Sequence, residues 1–140
     1  MTNQAWNSVQ GELFRRSYKR AKRAVAAGYY LEAVSLCESL ILNRLEVGLR
    51  ASGGLEYARY SVGKALNTFE SHKLPAFDVT LIEDSKAWSV QRNQLSHHFT
   101  RVDLDNFVTW RGRLSNAKLT ALAGLELANR WSKESRKHKF

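Results

Sequence analysis

The stretch from Tyr30 to Leu49, YLEAVSLCESLILNRLEVGL, decides the fold class. Ala33, Cys37, Leu40, Ile41, Leu45, Gly48 and Leu49 recur in it at three- and four-residue steps. That is the period of a helix with one apolar face, not the alternation of a half-buried strand. The spacing predicts a helix that ends near Ser52-Gly53-Gly54. Upstream, Trp6, Val9, Leu13, Ser17, Ala21, Ala24 and Gly28 trace the same period, predicting a helix over about residues 4–27 with Gly28 as its stop. Downstream, Tyr57, Ala58, Val62, Ala65, Leu66 and Phe69 predict a third helix over about residues 55–70. Residues 72–78, with the chain's one proline at Pro75, read as a loop. A fourth helix is expected over about residues 80–99, carrying Ile82, Trp88, Leu95 and Phe99. Asp103 is expected to cap a last long helix with Phe107, Trp110, Leu114, Leu122, Leu125 and Leu127. The prediction is an all-α, antiparallel bundle of four to five helices. It forms one domain over residues 1–130, followed by a basic tail, 131–140, expected to fray.

Composition narrows the function classes. The chain has 140 residues, 44% of them hydrophobic and 25% charged, which is ordinary globular usage. A single cysteine, Cys37, excludes an intrachain disulfide framework and a zinc site built on several thiolates. No apolar run reaches the ~18 residues that span a bilayer, and the first 20 residues contain no apolar core of a signal segment. The expected location is the cytoplasm, with no membrane partner.

Most familiar catalytic signals are absent. Gly53-Gly54 lacks the spacing and lysine of a phosphate-binding loop, and no glycine-rich turn follows a strand. His97 and His98 are helix neighbours pointing about 100° apart, poorly placed to share one metal ion. Cys37 falls in an apolar stripe, where a thiol is inert. No metal or organic cofactor is expected. What remains is Trp88-Ser89-Val90-Gln91-Arg92-Asn93-Gln94-Leu95-Ser96-His97-His98-Phe99. Asn93 and His97 stand one turn apart on one helix face, while Arg92 lies about 140° around the axis from His97. An imidazole, which ordinarily titrates near ~6.5, can exchange the proton of a ribose 2′-hydroxyl or of a leaving 5′-oxygen. A guanidinium fork stabilises the charge that builds on the phosphoryl oxygens. The competing reading is a surface arginine, a capping asparagine and a solvated histidine.

At this stretch the sequence resembles the HEPN superfamily, the higher eukaryotes and prokaryotes nucleotide-binding domains. Their hallmark is an arginine, four to six residues, then a histidine, usually with a polar residue directly after the arginine. Arg92-Asn93-Gln94-Leu95-Ser96-His97 has that form, Trp88 stands one turn before it, and Tyr30–Ile41 is similar to the family's second helix. The resemblance implies a metal-independent endoribonuclease acting as a homodimer, with two such motifs forming one composite site. Arg92 would bind the scissile phosphate, His97 would be the acid and base, and Asn93 would orient the site. The implied biology is a toxin or an anti-phage defence effector, with an antitoxin or regulatory protein as a further partner. One toxin subgroup carries a tyrosine two residues after the histidine, which a nucleotidyltransferase modifies. This chain has Phe99 there, so that mode of control is not expected.

The charge is compatible with the same partner. The formal net charge is +9, from 22 Lys and Arg against 13 Asp and Glu. Arg15, Arg16, Lys19, Arg20, Lys22 and Arg23 crowd one segment without an acid, and Arg130, Lys133, Arg136, Lys137 and Lys139 follow near the end. Such a field attracts a polyanion, either nucleic acid or an acidic membrane surface, and the competing reading is a solvated helix face with a frayed tail. The six cations of residues 15–23, with His98, are expected to bind RNA, and Tyr18, Tyr29, Tyr30 and Trp131 are potential stacking partners. The alternative is a non-catalytic helical module that binds RNA or a protein.

Overall fold

A computed structural model describes residues 1–53, 61–105 and 107–140. Among them it has five helices and no strand: α1 (Asn3–Ala26), α2 (Tyr30–Ala51), α3 (Val62–Ser71), α4 (Val79–His98) and α5 (Trp110–Lys137). The fold is an all-α bundle. Tyr57 and Ala58, placed by the sequence in the third helix, lie outside the described residues. Four helices start on a side chain that satisfies otherwise orphaned amides: Thr2 for α1, Ser61 for α3, Asp78 for α4 and Thr109 for α5.

Helix α2 is the centre, in contact with each of the other four. It runs antiparallel to α1: Glu32 meets Arg20, Asn43 meets Gln10 and Arg50 meets Asn3. Helix α5 runs alongside α2 in the same direction, with Cys37 against Ala121 near one end and Gly48 against Phe140 at the other. Helix α4 returns antiparallel to α5, fixed by Trp88 Nε1 donating to Thr120 O at 2.8 Å and Trp131 Nε1 donating to Ser85 Oγ at 2.9 Å. These two indoles reach polar partners while their rings are buried, the usual solution for tryptophan in a core.

Close approach of α2, α4 and α5 depends on Gly124. A Cβ there would stand 2.7 Å from Cys37 Cβ and 2.9 Å from Trp88 Cζ2. The adjoining Cys37 thiol is pushed up to about 12 by burial, so it is a packing group, not a nucleophile.

The predicted α1–α2 turn is present. Gly28 has φ +84°, its amide donates to Val25 O, and that of Tyr29 donates to Ala24 O. This is a Schellman ending, in which glycine takes the left-handed backbone at no steric cost. The predicted face of α1 needs correction. Phe14, Ala21 and Ala24 are buried, whereas Val9 and Leu13 are 46% and 52% exposed. Ala21 and Ala24 face inward as expected, but Phe14 takes the place of Leu13: it packs with Ala21, Leu40 and Ala128, and the Arg44 guanidinium lies 5.0 Å from its ring centroid.

Two boundaries also differ from expectation. Asp103 does not cap α5: its carboxylate accepts from Asp105 N inside the connection, and the helix starts seven residues later at Trp110. Phe107, expected on the helix, lies before it and is exposed. Residues 131–140, expected to fray, continue α5 to Lys137, with Trp131 and Ser135 buried. A second Schellman ending closes them: Lys139 has φ 57°, and Phe140 N donates to Ser135 O at 2.9 Å. The Phe140 ring then packs edge-on to Phe69. The sequence suggested a frayed tail because the charges are obvious and the apolar anchors, Trp131 and Phe140, are only two.

Gly124→Ala should lower stability by about 1–3 kcal/mol in urea unfolding, the usual range for overpacking. Gly11→Ala, in α1 with only the far end of Arg15 nearby, should raise it by up to about 1 kcal/mol.

Candidate functional site

Arg92 sits one turn beyond Trp88, so the indole that locks α4 onto α5 also fixes the azimuth of the guanidinium. That azimuth points to α2. Arg92 Nε forms an ion pair with Glu38 Oε2, and its Nη1 donates to Asn93 Oδ1 at 3.1 Å. Arg92 and Glu38 keep 26% and 27% of their side-chain surface exposed. Glu38 was not singled out by the sequence, because a lone glutamate on an amphipathic helix carries no signal until the opposite helix is placed.

His97 and Asn93 are exposed on α4, one turn apart. The Asn93 amide is turned toward Arg92, not toward the imidazole. Among the described residues His97 has no hydrogen bond, ion pair or ring contact, so the ring is open to a ligand. The end of α4 is held by Arg113, whose Nη1 donates to His98 O at 3.1 Å and Phe99 O at 2.8 Å, and whose Nε donates to Val108 O at 3.0 Å. A guanidinium thus satisfies the last carbonyls of the motif helix. Arg113 was another residue the sequence did not reveal.

His98 turns elsewhere. With Leu95, Val108, Arg113 and Leu119 it lines a groove of about 1100 Å³ between α4 and α5, which neither Arg92 nor His97 enters. Among the described residues no three His, Cys, Asp or Glu side chains converge on a point.

The cations of α1 divide into two kinds. Arg16 pairs with Glu12 at 2.9 Å and Arg20 with Glu32 at 3.1 Å. Lys22 lies over the Tyr18 ring at 5.6 Å. Arg15, Lys19 and Arg23 are exposed and meet no acid among the described residues. The second basic segment is less available than its composition implies. Arg130 is tied to Asp84 at 2.7 Å and Asp78 at 3.6 Å, and the hydrogen bond with Asp84 raises its pKa further despite some desolvation. His138 contacts Glu134 at 3.1 Å. Trp131, offered by the sequence as a stacking residue, is fully buried, while Tyr29 is 64% exposed.

No protein-family model, curated protein or solved structure matches this chain. No helix among the described residues is long and apolar enough to cross a membrane.

Replacing Lys19 and Arg23 by Gln should flatten the dependence of log K on log salt for single-stranded RNA by about 0.7 for each phosphate no longer neutralised. The acid-paired Arg16 and Arg20 should each contribute less. Fluorescence anisotropy across a salt titration measures both.

Proposed function

We propose that the chain is a metal-independent endoribonuclease of the HEPN type, acting as a homodimer. The observation that carries this reading is the pairing of an arginine held by Glu38 and Asn93 with an exposed, unengaged His97 on the same turn-and-a-half of α4. The ion pair with Glu38 and the single hydrogen bond from Nη1 to Asn93 leave other guanidinium donors for phosphoryl oxygens. His97 would take the proton of the ribose 2′-hydroxyl and return one to the leaving 5′-oxygen. The 2′-oxygen bonds to phosphorus as the bond from phosphorus to the 5′-oxygen breaks, giving a 2′,3′-cyclic phosphate and a 5′-hydroxyl.

Arg92 is directed at α2 and His97 is about 140° around the helix from it. One phosphate reaches both more readily when the histidine comes from a second copy, which supports a composite site. Glu38 is then a positioning residue, and the open cations of α1 dock the RNA backbone. The biological role consistent with this chemistry is a toxin or anti-phage defence effector in the cytoplasm, restrained by an antitoxin or regulatory protein. The second reading, a non-catalytic module that binds RNA or a protein, is favoured by the groove beside His98, which is large and separate from Arg92.

In EDTA, wild type should cut single-stranded RNA, and Arg92→Ala and His97→Ala should each lower the rate by ~10²-fold or more with unchanged circular dichroism. Glu38→Gln should cost less and act on kcat. Mixing the two alanine variants should restore about a quarter of wild-type activity if the site is shared between copies. Salt-sensitive binding without cleavage would favour the second reading.

A further inference from the structure

The two sides of α1 carry their cations differently. On one side Arg16 is neutralised by Glu12 at 2.9 Å and Arg20 by Glu32 at 3.1 Å. On the other, Arg15, Tyr18 and Lys22 recur at three- and four-residue steps and form one stripe about 10 Å long. Arg15 and Lys22 are exposed and form no ion pair among the described residues. Helix α2 adds a third cation to this side. The Arg44 guanidinium lies over the Phe14 ring at 5.0 Å, and Lys22 lies over Tyr18 at 5.6 Å. Phe14 and Tyr18 stack on each other, with centroids 6.1 Å apart and planes 9° from parallel. Two stacked rings thus hold a cation at either end.

Arg44 is set for an incoming group. Its Nε and Nη2 both donate to Asn43 Oδ1, at 2.9 and 2.6 Å, and Asn43 Nδ2 donates to Gln10 Oε1 at 2.7 Å. Nη1 makes no hydrogen bond among the described residues and is not shut away from solvent. Burial, and after it the charge of Arg15, lower the pKa of Arg44, so the two guanidiniums are close enough to repel. Arg15 lies back over Gly11, its Nη1 3.4 Å from the place of the missing Cβ. No carboxylate relieves the pair among the described residues. Glu46, two residues beyond Arg44, stands about 160° around α2 and accepts from Gln10 Nε2 at 3.5 Å instead.

Three observations select the occupant. Cations without a neighbouring acid select an anion, and the Tyr18 hydroxyl adds a donor with no hydrogen bond among the described residues. Two guanidiniums on different helices suit a tetrahedral oxyanion, whose oxygens diverge, better than a carboxylate, whose two oxygens fill one fork. The donors spread over two turns of α1, which successive phosphates of one strand can follow and a single small ion cannot. A bilayer fits less well: Val9 and Leu13, the exposed apolar residues of α1 that would enter lipid, lie on the far side with the acid-paired arginines.

We propose that Arg15 and Arg44 grip one phosphodiester of single-stranded RNA at the α1–α2 seam, with Tyr18 and Lys22 on the neighbouring phosphate. The site rests on the ribonuclease reading for its substrate and uses neither Arg92 nor His97.

The test uses the full chain carrying His97→Ala, so that RNA stays intact, and a fluorescein-labelled ten-nucleotide RNA read by anisotropy. Arg15→Gln and Arg44→Gln should each weaken binding by about tenfold at low salt. Because the two arginines share one phosphate, the double variant should lose clearly less than the product of the single losses. Arg44→Lys, which keeps the charge but not the fork, should keep the parent's salt slope and recover only part of the affinity. Arg16→Gln should cost less than either. Arg15 is exposed, so Arg15→Gln and Arg44→Lys carry the test if circular dichroism shows that Arg44→Gln does not fold. If Arg15→Gln and Arg44→Gln bind RNA as the parent does, lose no more than Arg16→Gln, or multiply their losses in the double variant, the site is wrong. Loss of binding to phosphatidylserine vesicles alone, with RNA binding unchanged, also overturns it and puts a membrane there. Cleavage by the otherwise wild-type chain is scored separately. Binding that depends on Arg15 and Arg44 without cleavage leaves the site standing and removes only the catalytic reading. Cleavage at unchanged KM in both variants does the reverse.

Discussion

Gly124 lets α5 approach α2 and α4 until Cys37 Sγ and the Trp88 ring share its missing side chain's space. Much follows from that packing. Trp88 reaches Thr120 O, and with Trp131 bonded to Ser85 it fixes the rotation of α4 as well as its position. A helix held in azimuth presents its next turn in one direction only. Arg92 therefore meets Glu38, and the side chains at Asn93 and His97 are left facing out. A packing constraint buried in the bundle thus sets a polar arrangement on its surface.

In the proposed ribonuclease, binding and chemistry would fall on different helices. The open cations are on α1, on the outer side of the helix, away from its buried Phe14, Ala21 and Ala24. The Arg92 helix carries no comparable excess of charge, and its arginine is already balanced by Glu38. Long-range attraction depends on net charge and weakens with salt, whereas proton transfer needs one imidazole within hydrogen-bond reach. Under that proposal, each could be altered without the other.

Much of the bundle was legible because helical periodicity is a strong signal where apolar residues are dense, as in Ala33–Leu49. It failed where tertiary packing overrides the pattern. Val9 and Leu13 continue an apolar stripe, yet Phe14 is the residue buried, because α2 and α5 supply Leu40 and Ala128 to pack with it. Asp103 is a good cap residue, but its carboxylate is taken by the turn to Asp105. The 131–140 segment is held by Trp131 and Phe140, two residues among many charges. At the candidate site the sequence showed Arg92, Asn93 and His97, which are close in the chain. Glu38 and Arg113 act from other helices, and no spacing along one helix could reveal them.

In the proposed function, RNA is cleaved through the 2′-hydroxyl without a metal. The most direct measurement is end-group analysis of RNA cut by the purified chain in excess EDTA. Fragments bearing 2′,3′-cyclic phosphates and 5′-hydroxyls are expected, released from ribose-containing strands but not from one carrying 2′-deoxyribose at the cleaved position. Fragments with 5′-phosphates, or cutting of the deoxy position, would contradict it.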